Sequence, residues 1–243
     1  MSVGLSSSLL FFLTLFSGTT VAQTTLTVAS AADLAPLQPD LRKAFPHLRF
    51  VTSASAILSQ QIENGAPYDV FLSANAAFVD QLAKSRKIEP DSVRIYAKGR
   101  LGILWRDGRP HEISHLADSE VRSVSLADPK LAPYGVAARQ TLEHAGIWPQ
   151  VQPKVIYGEN VRQALQLFTS GNADAVLTSG SLLVEKNPQW IPDSWHQPIL
   201  QKAGILAASK QGEAARKFLD FLIGPAGQKI FAKYGFLPVA APQ

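Results

Sequence analysis

The sequence predicts an α/β protein built as two lobes. Three observations carry that expectation. β-rich runs alternate with helical patterns, the loops between them are short, and two β-rich runs at 93–97 and 101–105 split the alternation into two blocks. Strand–helix alternation with short loops favours parallel sheets covered by helices. Lobe 1 is expected at 23–98 plus 202–243, and lobe 2 at 99–201.

In the first block, residues 25–29, 49–52 and 69–73 read as strands, and 33–45, 55–64 and 76–84 as the helices that follow them. In the second block the strands are 121–126, 154–157 and 173–177, and the helices are 134–145 and 161–170. A late β-rich stretch, 199–208, can carry the chain back to the first lobe, ahead of helical segments at 213–223 and 228–234. No internal repeat of fixed period is present.

The 243 residues are 46% hydrophobic and 17% charged, a globular composition. The absence of cysteine excludes a disulfide scaffold, a thiol nucleophile and a thiolate-bound metal. The net charge of +4 is spread along the chain without a basic run, so no nucleic-acid partner is expected. No GxGxxG, GxxxxGK[ST] or GxSxG motif occurs.

Residues 1–32 hold no charged side chain and include an apolar run at 9–16. That run is far short of the ~20 residues that span a bilayer. Thr20 and Ala22 suit positions −3 and −1 of a leader cleavage site, so 1–22 is expected to be a signal peptide cut after Ala22.

Ligands of doubly wound sheets bind outside the carboxyl ends of strands, where helices begin. Here those turns are small and polar: Ser30-Ala31-Ala32-Asp33, Ser53-Ala54-Ser55, Pro133-Tyr134-Gly135 and Glu159-Asn160-Val161. A helix N-terminus has unpaired N–H donors and carries about half a positive charge. Several converging termini hold an anion without arginine or lysine. Ordinary N-capping by Ser and Asp explains the same residues without a ligand.

The segment Asn64-Gly65-Ala66-Pro67-Tyr68-Asp69-Val70-Phe71-Leu72-Ser73-Ala74-Asn75 resembles a block of periplasmic molybdate-binding proteins, the binding subunits of molybdate ABC importers. Leu26-Thr27-Val28-Ala29-Ser30-Ala31-Ala32-Asp33-Leu34, Ala127-Asp128-Pro129, Glu159-Asn160-Val161-Arg162-Gln163-Ala164-Leu165 and Phe218-Leu219-Asp220-Phe221-Leu222 match in the same order. The resemblance implies the two-lobed periplasmic-binding-protein fold of type II, with the ligand in the cleft. It implies an exported, monomeric, non-enzymatic protein of the periplasm that needs no cofactor, captures molybdate or tungstate, and delivers it to a membrane ABC permease. Sulfate or phosphate stays open as the cargo. By position, the implied ligand contacts are Asp33, the Ser55 hydroxyl, the Tyr134 amide and the Val161 amide.

Two positions depart from the family pattern. Many members have Ser at 33 and Tyr near 179, where this chain has Asp33 and Ser179. A carboxylate about 5 Å from a dianion, at an effective dielectric near 20, meets repulsion of roughly 7 kcal/mol. Asp33 is therefore expected to cap the helix running to residue 45 and to turn its carboxylate away.

His111-Glu112-Ile113-Ser114-His115 has the HExxH form of zinc hydrolases. With Pro110 before it and a strand expected at 121, it reads instead as a short surface helix.

Overall fold

The computed structural model describes residues 25–239. The expected leader and its cleavage point lie outside the described residues. Two five-stranded sheets form the core of two lobes.

The first sheet contains β1 (Leu26–Ala31), β2 (Leu48–Ser53), β3 (Val70–Ser73), β4 (Arg94–Gly99) and β10 (Ile199–Ile205), in the order β2-β1-β3-β10-β4. The second contains β5 (Leu101–Trp105), β6 (Val124–Ala127), β7 (Val155–Gly158), β8 (Ala175–Ser179) and β9 (Gln189–Trp190), in the order β7-β6-β8-β5-β9. Both have a parallel trio, with β1 between β2 and β3 and β6 between β7 and β8, and antiparallel strands beside it. Each trio reverses direction of winding at its central strand, which leaves a crevice at that strand's carboxyl end.

The chain crosses between the sheets twice. β4 ends at Gly99 and β5 starts at Leu101. On the return, β10 is in the first sheet from Ile199, which pairs with Gly99. The whole strand, including Ile199 to Gln201, therefore lies in the first sheet, three residues earlier than the expected start at 202.

Helices α1 (Gln38–Ala44), α2 (Ser55–Glu63), α3 (Ala76–Lys84), α7 (Gly212–Ile223) and α8 (Pro225–Lys233) cover the first sheet, and α4 (Pro133–His144), α5 (Trp148–Val151) and α6 (Val161–Thr169) accompany the second. The first sheet is buried on both faces. Val28, Leu72 and Tyr96 pack with Leu41, Phe218 and Phe231 on one side; Ala29 and Phe71 pack with Leu58, Val79 and Leu82 on the other. Burial on both faces explains why β1 is buried at all six positions and shows no polar alternation. The core of the second sheet continues through Tyr134 to Ala31, Ala32 and Ala74 of the first lobe, so the lobes share an apolar seam.

The helix expected at 33–45 is divided. Ala32–Leu37 is a 3-10 turn, and the α-helix starts at Gln38. Pro36 and Pro39 have no N–H to give to the carbonyls of Ala32 and Ala35. The Gln38 N–H bonds Ala35 O instead, the tighter three-residue closure. Asp33 thus sits inside the turn, the N-cap position belongs to Ala31, and no side chain caps it. The expected capping role of Asp33 is wrong.

The sharp entry to α4 depends on Gly135. A Cβ there would run into the carbonyl oxygen of Ala127 and the backbone of Pro129. Both obstacles are main chain, so neither can swing aside. Gly135→Ala should cost about 1–3 kcal/mol, the usual range for overpacking. Thermal unfolding should show a melting temperature lower by roughly 2–12 °C; an unchanged value would mean that α4 enters differently.

Candidate functional site

The carboxyl ends of both parallel trios face each other across the seam. Between them lies a small cavity lined by Ala31 at the end of β1 with Ala32 and Asp33 after it, Ala54 and Ser55 after β2, Ala74 after β3, and Ala132 to Tyr134 with Asn160 and Val161 from the second lobe. It offers about 10 Å³ to the centre of a water-sized sphere, roughly the room of one water. An ion with four oxygens enters only if the walls separate. A larger hollow of about 570 Å³, beside Tyr68, Arg86 and Lys210, lies at the amino end of β3, away from the converging helix starts.

Three α-helices and the 3-10 turn begin at the cavity. α2 starts at Ser55 behind Ala54, and α4 at Pro133 behind Ala132, both without a side-chain cap. α6 starts at Val161, and its cap Asn160 accepts from the N–H groups of Arg162 and Gln163, at 3.0 and 3.2 Å. That cap leaves the Val161 N–H to the cavity. First-turn N–H groups have no carbonyl one turn back, and those of Ser55, Tyr134 and Val161 have no partner outside their helices. The Ser55 Oγ accepts the Ala74 N–H at 3.1 Å, which directs its own proton elsewhere. The structure therefore brings Asp33, Ser55, Tyr134 and Val161 together from both lobes, all nearly or fully buried. No lysine, arginine or histidine lines the cavity.

Asp33 is the anomaly. Its Oδ2 accepts from Tyr134 Oη at 3.0 Å and Gln201 Nε2 at 2.6 Å. Its Oδ1 is buried with no hydrogen-bond partner. Tyr96 Oη donates to Gln201 Oε1 at 2.9 Å, and Ser181 Oγ donates to the Asp33 carbonyl at 2.6 Å. Tyr134 and Ser181 come from the second lobe, so the group is a tie between lobes. The phenol passes over Gly99 at the first crossing, where any side chain would collide with it.

Sequence reasoning missed Gln201 and Tyr96. One signal was available for Gln201: alternation along β10 buries Ile199, Gln201 and Ala203 on the same face. Tyr96 had none. Gln201 pairs with Ala97 and Lys202 with Ile95, so Tyr96 is the extra residue of a β-bulge, and bulges re-aim side chains.

The HExxH segment holds no metal-ligand geometry. Only Ile113–Ala117 is helical, as a 3-10 turn. His111 Nε2 bonds Asp107 and His115 Nδ1 bonds Asp118. Among the described residues no group of three or more acidic or imidazole side chains is placed to hold a metal.

Burial pushes the Asp33 carboxyl up from 3.8 to about 6, against the opposing pull of Gln201, Tyr134 and the N–H groups of Asp33 and Leu34. A raised carboxyl stabilises the fold relative to its ionised form at low pH. That contribution is lost as pH rises from 3.8 towards 6, where the unfolded chain has already released its proton. The two-unit rise corresponds to about 3 kcal/mol. Asp33→Asn should therefore gain stability relative to the parent between pH 4 and pH 7, measured by denaturant unfolding. A difference that stays constant with pH would place the carboxyl in water.

A model of the family "Bacterial extracellular solute-binding protein" matches residues 26–237. The molybdate-binding protein ModA of Rhodobacter capsulatus is 33% identical over 182 residues, which span 73% of this chain and 72% of that one. The structure of the periplasmic molybdate-binding protein of Azotobacter vinelandii superposes with a TM-score of 0.81 at 27% identity, covering 90% of this chain and 100% of that one. The sulfate-binding protein SubI of Mycobacterium tuberculosis, 17% identical with a TM-score of 0.73 over 89% of this chain and 88% of its own, has the same fold. The chain belongs to the bacterial extracellular solute-binding proteins, in the non-enzymatic family of the molybdate-binding proteins.

Proposed function

We propose that this protein captures molybdate, or tungstate, between its lobes and delivers it to the membrane permease of an ABC importer. One observation carries the reading: helix starts from both lobes meet at one small cavity whose walls offer hydrogen-bond donors and no cation. Donors without a counter-charge suit a small, symmetric, multiply charged oxyanion. The Ser55 hydroxyl and the N–H groups of Ser55, Tyr134 and Val161 are the contacts in this reading. The cargo named for the relatives from Rhodobacter capsulatus and Azotobacter vinelandii supports the choice of ion.

Phosphate is the second reading, and Asp33 is the observation that favours it. An ionised carboxylate in the wall accepts the proton of a monoprotonated oxyanion. Thermal melts with molybdate, tungstate, sulfate and phosphate separate the two. Molybdate and tungstate should raise the melting temperature by mass action, and phosphate should not. Equal stabilisation by phosphate would move the assignment to the second reading.

Ser55→Ala removes one donor to a charged oxygen, worth about 1.5–3 kcal/mol. Calorimetric titration should show molybdate bound roughly 10-fold to 150-fold more weakly. An unaltered Kd would exclude the Ser55 hydroxyl from the contacts.

A further inference from the structure

Asp33 is the single ionisable acid among the cavity-lining residues, and half of its carboxyl is unused. Each side chain bonded to its carboxyl is uncharged. α4 brings Tyr134 and β10 brings Gln201, backed by Tyr96 of β4. The turn after β8 brings Ser181, which bonds only the main-chain carbonyl, with Ser179 bonded to it. Burial and the nearby carboxylate push both phenols well above their ordinary range, so they stay protonated. Among the described residues, no lysine, arginine or histidine pairs with Asp33.

An ionised Asp33 thus has two neutral side-chain donors on one oxygen, no hydrogen bond on the other beyond the weaker pull of the Asp33 and Leu34 N–H groups, and no counter-charge. Helix starts that attract an anion form the rest of the wall. An anion arriving there repels the carboxylate through a medium that screens poorly. A proton on Oδ1 removes the repulsion. It also turns the orphan acceptor into an O–H donor, of the same sense as the N–H groups at the helix starts that line the cavity.

We infer that Asp33 holds the cargo as a neutral acid, its Oδ1–H donating to the oxyanion, so that capture of a dianion takes up one proton from solvent. The inference rests on the oxyanion reading above. The balance is simple: ionised Asp33, one dianion and one proton become a protonated Asp33 hydrogen-bonded to the intact dianion, and no covalent bond of the ion changes. Asp33 then tunes specificity, because it rewards cargo that accepts a hydrogen bond at that oxygen and weakens capture as the medium becomes alkaline.

Calorimetric titration of the protein with molybdate tests this, run from pH 6 to pH 9 in pairs of buffers with different ionisation enthalpies. Above the titration of Asp33, the buffer dependence should report about one proton taken up per ion, and Kd should weaken about tenfold per pH unit. Molybdate remains a dianion across that range. Asp33→Asn and Asp33→Ser both keep a neutral polar donor, and should bind with a Kd that is flat with pH and with no proton uptake. Tight binding by the parent protein with a flat Kd and no proton uptake would overturn the proposal. So would variants that keep the parent's slope. Absence of binding by molybdate and tungstate at every pH would instead overturn the oxyanion reading, and the proton linkage with it.

Discussion

The N–H groups of a helix's first turn have no carbonyl one turn back, and burying them without a partner costs free energy. Everything at the lobe junction follows from that constraint. Two sheets present the carboxyl ends of their parallel trios to each other, so three helices and a 3-10 turn start within one small cavity. Only Asn160 caps its helix with a side chain. The others keep their donors facing inward, where water or an anion must satisfy them.

The junction is closed by apolar packing and by polar contacts, of which the group around Asp33 is the buried one. The seam through Ala31, Ala32, Ala74 and Tyr134 is buried apolar packing. Within it, Asp33 gathers Tyr134 and Gln201 on a single oxygen. Farther out, Lys98 and Asp193 pair at 2.7 Å across the crossings, and the Ala56 N–H donates to Leu131 O between lobes at 3.2 Å. These polar contacts surround the apolar seam on the outside of the junction.

The two departures from the family pattern meet in this group. Asp33 supplies the buried carboxyl, and Ser179 bonds Ser181, which holds the Asp33 carbonyl. The Tyr134 phenol reaches Asp33 over Gly99.

Much of this molecule is a local property of its sequence. Alternating strand and helix patterns, with small polar turns, place helix starts at strand ends, because hydrogen bonding within a few residues decides both. The turns that hold Ser55, Tyr134 and Val161 could be marked for that reason, and the resemblance to molybdate-binding proteins singled out those residues within them. The turn around Pro36 and Pro39 was also local, yet it needed the count of missing N–H donors to separate a 3-10 turn from a helix. The environment of Asp33 was not local. Its partners Tyr134 and Gln201 lie 101 and 168 residues away, and the bulge that turns Tyr96 inward arises from strand register. A carboxyl reads as a cap when only its neighbours in sequence are known; whether it is dry, and what faces it, is decided by which lobes close over it.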